Sequence, residues 1–443
     1  MYLNLKNVGA VKNASVNLTG LSVIAGKNGA GKSTISKTIY TIVKAIKEKD
    51  QIVKESIKEA AEMLCMRTFF TLQNDIKSRP IGSEPMSDER ILRNFFERDV
   101  FEHVLMEYVY NGNFDRAQNL VDERINVLEQ LSDQVSDNSK NMVRGFLIAL
   151  NEQLSQKGSK KDVHTALTYM YTKVFNRQIN NLVSHDTSEV ELEGFMKYHV
   201  SNNAGVVPFA ERLVIDSLQE SRESTVFQNA TLIESPLVLQ LQKNRDQANI
   251  PAYWSDLLDK IQRCLRLDSV LSEGLLKEVY KEIDELLGGR LTYDDEQQKV
   301  VFVKNDFEKK SNLFVNNMSS GEKMLSIFQA FARVGLLGQE HLLILDEPEN
   351  HLHPEWQVAI AQILTKLAAA GYPILVNSHS PDFIQALKIF SDIDENASKK
   401  TRFYLANSET GEIVDKTDKV SEILDDLSAP INKVFKNLFA TKQ

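Results

Sequence analysis

The stretch GKNGAGKST, residues 26–34, decides the fold of this chain. It fits the pattern G-x-x-x-x-G-K-[ST], with Gly26, Gly31, Lys32 and Ser33 at the fixed positions. Glycines at these positions let backbone N–H groups approach phosphate oxygens, the lysine reaches the outer phosphates, and the hydroxyl ligates Mg²⁺. The motif therefore predicts a loop that binds ATP with Mg²⁺. The predicted nucleotide-binding residues of this loop are Gly26, Lys27, Asn28, Gly29, Ala30, Gly31, Lys32, Ser33 and Thr34.

The flanking residues have the pattern that such a loop requires. Before it, apolar and polar residues alternate in two segments, and residues 21–25 form a third segment, a short apolar run interrupted only by Ser22. These patterns predict a β-hairpin followed by a buried central strand. After the loop, apolar residues recur at helical spacing at Ile35, Ile39, Ile42, Val43 and Ile46. The loop thus joins a strand to the amino terminus of a helix, whose partial positive charge favours bound phosphate.

A second motif supplies the acids that hydrolysis requires. In HLLILDEPE, residues 341–349, four apolar residues predict a buried strand that ends at Asp346 and Glu347. A carboxylate at this position can hold Mg²⁺, and the next one can accept a proton from the attacking water. We therefore assign Asp346, together with Ser33, to the metal, and Glu347 to the role of general base.

A third segment, NNMSSGEKMLSIFQAFARV, residues 316–334, opens a helix with Ser319, Ser320 and Gly321. It resembles the signature motif of ATP-binding cassette (ABC) ATPases, in which a serine and a glycine bind the γ-phosphate held by the opposite subunit. The resemblance implies that Ser319, Ser320, Gly321 and Glu322 contact nucleotide. Ser320 and Glu322 replace the usual glycine and glutamine, and this variant resembles soluble cassette ATPases of the SMC, RecF and OLD type.

Two further features extend the resemblance. The string D-E-P-E-x-x-L-H-P, which begins at Asp346, is similar to the OLD-like branch. In YPILVNSHSPDF, residues 372–383, the pattern predicts a buried strand that precedes His379. In cassette ATPases the histidine after this strand contacts the γ-phosphate. The resemblance therefore makes His379 the second candidate catalytic residue. His351 and His353 are only two potential metal ligands, one residue apart, and no further ligand residues cluster with them. A metal site there is therefore disfavoured.

The expected fold is α/β, a P-loop NTPase with an ABC-type ATPase head and a helical insertion. Residues 1–45 form the first part of the head, and 46–185 the insertion, an arm or short coiled coil with Val121, Ile125, Leu128 and Val135 near heptad spacing. Residues 186–443 complete the head, with a smaller helical insertion at about 252–287. Strand-like segments at 190–200 and 230–241 and a hairpin at 288–303 belong to this part. No residue emerges as the magnesium-sensing glutamine, for which Gln178 and Gln228 are only guesses.

Composition limits the classes of function. The 443 residues are 42% apolar and 26% charged, as in globular proteins, without the roughly 18 consecutive apolar residues of a membrane span. The amino terminus shows no secretory signal and the two cysteines form no cluster, which predicts a cytoplasmic protein without membrane contact. The net charge of −9 argues against a whole surface that binds nucleic acid, although a local basic groove stays open as an alternative.

The resemblance also suggests a biological role. Stand-alone OLD-like ATPases occur in bacterial anti-phage defence systems such as Septu, PARIS and retron-associated operons, where a separate nuclease or toxin is the effector. Residues 380–443 are too few for the nuclease domain of OLD-type proteins. The expected assembly is a homodimer, or a higher even-numbered oligomer, formed through ATPase heads, with an effector encoded nearby. The alternative is a RecF- or SMC-like ATPase of DNA repair or chromosome handling that binds DNA.

Overall fold

The computed structural model describes residues 1–77, 98–130, 135–155, 159–175, 187–204, 211–220, 227–241, 250–267, 269, 271–296, 299–305 and 312–440. The chain divides into two compact units, a head (Met1–Lys47 and Met170–Gln443) and a helical unit (Glu48–Tyr169). The predicted insertion boundary at residue 185 lies outside the described residues. None of the helices in the described ranges combines the length and apolar character of a membrane span.

The strands all belong to the head. They are β1 (Tyr2–Val8), β2 (Val11–Asn17), β3 (Leu21–Gly26), β4 (Ser188–Leu192), β5 (Met196–Ala204), β6 (Glu211–Glu220), β7 (Asn229–Ile233), β8 (Gly289–Asp294), β9 (Lys299–Lys304), β10 (Asn312–Phe314), β11 (His341–Asp346), β12 (Ile374–Ser378), β13 (Thr401–Ala406) and β14 (Glu412–Asp415).

The helices occur in both units. They are α1 (Lys32–Lys47), α2 (Lys49–Lys77), α3 (Arg98–Tyr110), α4 (Phe114–Gln130), α5 (Asp137–Ser155), α6 (Ser159–Phe175), α7 (Ala252–Leu265), α8 (Gly274–Leu287), α9 (Ser320–Val334), α10 (Pro354–Ala369), α11 (Pro381–Ile393), α12 (Glu395–Lys400) and α13 (Val420–Ala440).

One large sheet organises the head. Among the described residues it has eleven strands in the order β6-β5-β4-β1-β2-β14-β13-β3-β12-β11-β7. The five strands from β13 to β7 run parallel, whereas β6, β5, β4, β1 and β2 pair antiparallel. Strands β3, β11 and β12 are buried along their whole length, which explains their mostly apolar sequences, because helices cover both faces of a parallel sheet. The carboxyl ends of the parallel strands share one edge, where the motifs lie.

The expected hairpin at the amino terminus is confirmed. Strands β1 and β2 pair antiparallel, with Leu3 opposite Val16, and β3 follows between β12 and β13. Alternation of buried and exposed residues along β1 matches its place in the antiparallel part of the sheet. The sequence pattern of period two therefore identified these strands correctly.

The region from 229 to 304 is confirmed in part. The hairpin forms between β8 and β9, and the expected helical stretch is the pair α7 and α8. The strand expected to continue to residue 241 is wrong, because β7 ends at Ile233 and a 3₁₀ turn, Pro236–Gln240, follows. Pro236 lacks an N–H for the strand ladder, and the Ser235 side chain caps the turn by accepting from the Leu237 N–H.

The helical unit has its own apolar core. Val121, Leu128 and Val135 are buried in it, and Ile125 packs against it. These residues belong to α4 and to the turn that leads into α5, which packs on α4 as a helical hairpin. Each fully buried leucine or valine contributes roughly 1.5–3 kcal/mol to the stability of such a core. The near-heptad spacing thus marks the buried stripe of a helical hairpin.

A buried polar network anchors α1, the helix that starts at the phosphate loop. Asp256 of α7 accepts from Lys44 and from Lys260, each at 2.8 Å. Lys260 also donates to Thr231 Oγ1 at 3.0 Å, which lies 2.8 Å from His341 Nε2. Burial, helped by the Lys260 charge, lowers the pKa of His341 to about 3, so this ring stays neutral at physiological pH. The network joins α1, α7, β7 and β11.

Candidate nucleotide-binding site

The phosphate loop lies between β3 and α1, as predicted. Gly31 has a φ of 89°, and a Cβ there would lie 2.6 Å from Val11 Cγ2, so only glycine fits. The Lys32 side chain is 5% exposed, and its Nζ donates to the carbonyls of Gly26 at 2.7 Å and Lys27 at 3.1 Å. The ammonium group therefore lies over the loop, close to the backbone that would surround the phosphates.

Asp346 occupies the end of β11 beside the loop. Asn377 Nδ2 donates to Asp346 Oδ1 at 2.9 Å and to Ser36 Oγ at 2.8 Å, and the Ser33 side chain hydrogen-bonds to Asp346. Burial raises the pKa of Asp346, and these hydrogen bonds oppose the rise. A hydroxyl and a carboxylate in contact are hard oxygen ligands that suit Mg²⁺, which takes few protein ligands and fills its shell with phosphate and water. Ser33 and Asp346 therefore fit the metal role assigned to them.

Glu347 makes the connection between the motifs. Its φ of 53° reverses the chain after β11, and its N–H donates to the Asn377 carbonyl at 2.9 Å. Strained conformations of non-glycine residues occur where the surroundings enforce them, often at active sites. Glu347 Oε1 lies 3.6 Å from Lys32 Nζ and 3.1 Å from His379 Nδ1. The structure thus brings two predicted residues, Lys32 and His379, into contact with the third, Glu347.

The charge state of Glu347 suits a base. Burial raises its pKa, but the Asn350 side chain, which donates to Oε2 at 2.7 Å, and the neighbouring His379 and Lys32 hold the pKa below its usual value. The carboxylate is therefore ionised at neutral pH. Side-chain exposure of 27% for Glu347 and 38% for His379 leaves both groups accessible to a substrate.

The signature residues lie at the amino terminus of α9. Ser319 and Glu322 form a capping box, in which Glu322 Oε2 accepts from Ser319 N–H at 2.8 Å and from Ser319 Oγ at 2.9 Å. Ser320 begins the helix, and Gly321 packs against the turn after Glu347, where a Cβ would lie 2.6 Å from the His351 carbonyl oxygen. Within one chain the signature therefore supports the turn that follows Glu347.

Replacement of Gly321 tests this packing. Gly321→Ala places its methyl group against a backbone carbonyl and the Trp356 ring, neither of which can yield easily. We expect a loss of about 1–3 kcal/mol in the free energy of unfolding, as for other overpacked sites. Gly338→Ala is the matched control, because its Cβ meets no atom within 4 Å. Denaturant titration of both variants measures the difference, and equal stabilities would contradict the close approach.

The two histidines that follow Glu347 in the chain have different surroundings. His351 contributes its carbonyl to the Gly321 contact, and His353 is exposed, 3.9 Å from Glu355. Among the described residues, no group of three or more histidine, cysteine, aspartate or glutamate side chains could hold a metal ion.

Sequence reasoning missed several polar residues at the same sheet edge. Asn377 and Ser378 end the buried strand β12, and Glu349 and Asn350 follow Glu347. A polar residue within an otherwise apolar strand is the signal that could have identified Asn377, because a buried amide requires partners. Glu349 belongs to the string D-E-P-E but, like Asn350, carries no local signal of a specific role.

Glu234 is another missed acid. It follows β7, whose Ile233 pairs with Leu345 of β11, so it lies next to Asp346 at the carboxyl edge. Its carboxylate accepts from Tyr253 Oη at 2.8 Å and lies 3.1 Å from Lys37 Nζ.

Of the two glutamine guesses, only Gln228 lies among the described residues. Gln228 precedes β7 at the opposite, amino edge of the sheet, away from the site. Gln178 lies outside the described residues. The place next to Asp346 on the neighbouring strand therefore holds an acid, Glu234.

Comparison with known protein families identifies the class of this chain. The model of the family AAA_15, described as AAA ATPase domain, matches residues 1–384. The chain belongs to this family. Together with the strand order and the position of the phosphate loop, the match confirms the predicted α/β fold, a P-loop NTPase of ABC type. No curated protein matches the sequence.

Solved structures of SMC heads show a weak similarity to this AAA_15 member. An SMC head bound to the C-winged helix domain of ScpA is 12% identical, with a TM-score of 0.36 over 94% of this chain and 96% of that one. The SMC head domain from Thermotoga maritima is 11% identical, with a TM-score of 0.33 over 94% and 97%. A Pyrococcus furiosus Smc head with an extended coiled coil, bound to the C-terminal domain of ScpA, is 10% identical, with 0.31 over 96% and 98%.

Proposed function

We propose that this chain is the ATP-binding and ATP-hydrolysing subunit of a bacterial anti-phage defence complex, in which paired heads hold or control a separate nuclease or toxin. The observation that carries the ATPase part is the contact of Lys32, Glu347 and His379 at the edge where Ser33 and Asp346 also lie. Membership of an ATPase domain family supports it. The defence role rests on the sequence resemblance alone, as fold does not specify biological role.

In the proposed reaction, Lys32 exchanges its bonds to the loop carbonyls for bonds to the outer phosphates of ATP. This exchange weakens its contact with Glu347, whose carboxylate then accepts a proton from the attacking water. His379 donates to the γ-phosphate as negative charge develops there. Ser33 and Asp346 would hold Mg²⁺, which neutralises phosphate charge. All five residues lie on one edge of the sheet, which positions them without large movement.

A second head would complete the site through its signature residues. Ser319, Ser320 and Gly321 of that head would approach the γ-phosphate, with helix α9 contributing its partial positive charge. In the isolated chain, the Glu322 carboxylate accepts from both donors of Ser319, the N–H and the hydroxyl. Phosphate and carboxylate would therefore compete for the same donors, and opening of this capping box becomes part of head pairing.

Substitution of Glu322 tests the competition. Glu322→Gln removes a negative charge from the phosphate position, and we expect ATP-dependent pairing to tighten roughly fivefold, which corresponds to about 1 kcal/mol of relieved repulsion. Ser319→Ala should weaken pairing, although it also costs about 1 kcal/mol of helix capping. Sedimentation of both variants in the Glu347→Gln background measures the monomer–dimer equilibrium. Weaker pairing of Glu322→Gln would contradict the competition.

The proposed assembly is tested by the native mass of Glu347→Gln, with and without ATP and Mg²⁺, after expression together with its neighbouring genes. An ATP-stabilised dimer or higher even-numbered assembly that carries a second protein supports the defence-type complex. A monomer that ignores ATP contradicts head pairing. If DNA copurifies instead, and its affinity falls steeply with salt as counterions compete, the RecF- or SMC-like alternative replaces the proposal.

A further inference from the structure

A buried acid outside the assigned roles lies directly behind His379. Glu349, two residues after the proposed base, is 3% exposed. Its Oε1 accepts from Ser378 Oγ at 2.5 Å and from the backbone N–H of His379 at 3.2 Å. Its Oε2 is buried and has no hydrogen-bond partner within the part of the chain that the structure describes. Burial raises the pKa of this carboxyl, and its hydrogen bonds offset only part of the rise.

This arrangement is costly for the fold. A buried polar atom without a partner costs about 1–3 kcal/mol, and a buried carboxyl loses the hydration of its second oxygen entirely. Unsatisfied buried groups in native structures call for an explanation, and a role at a reaction site is a common one.

His379 is held from two directions by the same short loop. Glu347 contacts its ring nitrogen Nδ1, and Glu349 accepts from its backbone N–H. In the proposed reaction Glu347 takes a proton from water and loses the negative charge that attracts the ring, so the ring contact alone cannot keep His379 in place during the chemical step. The Glu349 contact does not involve the reacting groups and can persist.

The Glu349 contact also extends into the following helix. Ser378 Oγ, which donates to Glu349, accepts from the Ser380 N–H at 3.1 Å, and Ser380 caps α11 by accepting from the Phe383 N–H. One carboxylate therefore fixes the turn 378–380 between β12 and α11. A shift of this turn would move the His379 ring away from the γ-phosphate position, and small displacements of positioned groups reduce rates strongly.

We propose that Glu349 is a positioning residue, which holds the backbone of His379 so that its ring stays directed at the γ-phosphate while Glu347 acts as the base. This inference rests on the proposed ATPase function. In this role Glu349 holds the turn 378–380 and would touch neither the nucleotide nor the attacking water. Its role predicts an effect on turnover that requires His379.

A double-mutant cycle tests the inference. We expect His379→Ala to lower kcat about 100-fold and Glu349→Ala about 10-fold, while the double variant falls about 100-fold, not 1000-fold, because Glu349 acts through His379. Binding of a fluorescent ATP analogue should stay within about twofold in all three, since the phosphate loop is untouched. Multiplicative losses in the double variant would overturn the inference, as would an unchanged kcat in Glu349→Ala.

Conservative variants separate positioning from charge and from folding. Glu349→Gln keeps an oxygen acceptor in place and should retain at least half of the kcat, whereas a loss equal to that of Glu349→Ala would contradict an acceptor role. If Glu349→Ala does not fold, Glu349→Asp, which withdraws the carboxylate by one methylene group, replaces it in the cycle. An inactive wild-type protein would overturn the proposed function itself, whereas an unchanged kcat in Glu349→Ala would overturn only this inference.

Discussion

Glu347→Gln is expected to bind ATP with the affinity of the unaltered protein and to lower kcat by about 10²- to 10⁴-fold, the usual contribution of a general base. The amide has nearly the shape of the carboxylate and can keep the Asn350 contact at Oε2, so the turn after β11 should persist. It cannot accept a proton from water. ATP should therefore remain uncleaved and hold paired heads together.

Single-turnover hydrolysis and ATP-dependent sedimentation measure the two halves of this expectation. Glu355→Gln is the matched control, because Glu355 lies on the same segment of chain with a side chain that is 86% exposed. Its kcat should equal that of the wild type. Undiminished hydrolysis in Glu347→Gln would remove Glu347 from the role of base and direct attention to the neighbouring acids.

Lys32→Ala is expected to weaken ATP binding by about 100-fold or more, because a charge-assisted contact to phosphate in a partly buried site is worth several kcal/mol. The Lys32 ammonium is almost completely buried and lies 3.6 Å from the Glu347 carboxylate. Without it, Glu347 faces the γ-phosphate with no intervening positive charge. The loss of attraction between Lys32 and the phosphates and the repulsion between Glu347 and the γ-phosphate both weaken nucleotide binding.

Calorimetric titration with ATP and Mg²⁺ measures this loss directly. A second readout is thermal unfolding, since a ligand at 100 times its Kd stabilises the folded state by about 2.7 kcal/mol, an effect that should vanish in Lys32→Ala. Lys47→Ala, at the exposed end of the same helix, is the control and should retain the full shift. Wild-type affinity in Lys32→Ala would mean that the loop does not hold the phosphates as proposed.

Much of the head could be predicted because its motifs are local. Each motif can be recognised within about ten residues of sequence. They are a glycine-rich loop after one apolar strand, a pair of acids after a second and a histidine after a third. The parallel strands β3, β11 and β12 have mostly apolar sequences because they are covered on both faces. Prediction failed at 236–241, where local capping by Ser235 and the missing N–H of Pro236 outweighed an apolar pattern that suits a strand.

The sequence by itself therefore determined the strand–loop–helix units, the phosphate loop and the residues Lys32, Glu347 and His379, because backbone conformation and apolar period are properties of short segments. Only the tertiary structure decided which units are neighbours. The order β13-β3-β12-β11-β7 is not written in any segment, yet it places Asn377 against Ser36, 341 positions away, and Glu234 beside Asp346. It also places Glu349 beneath His379. Such contacts arise from strand pairing and shared burial between distant parts of the chain, which no local pattern encodes.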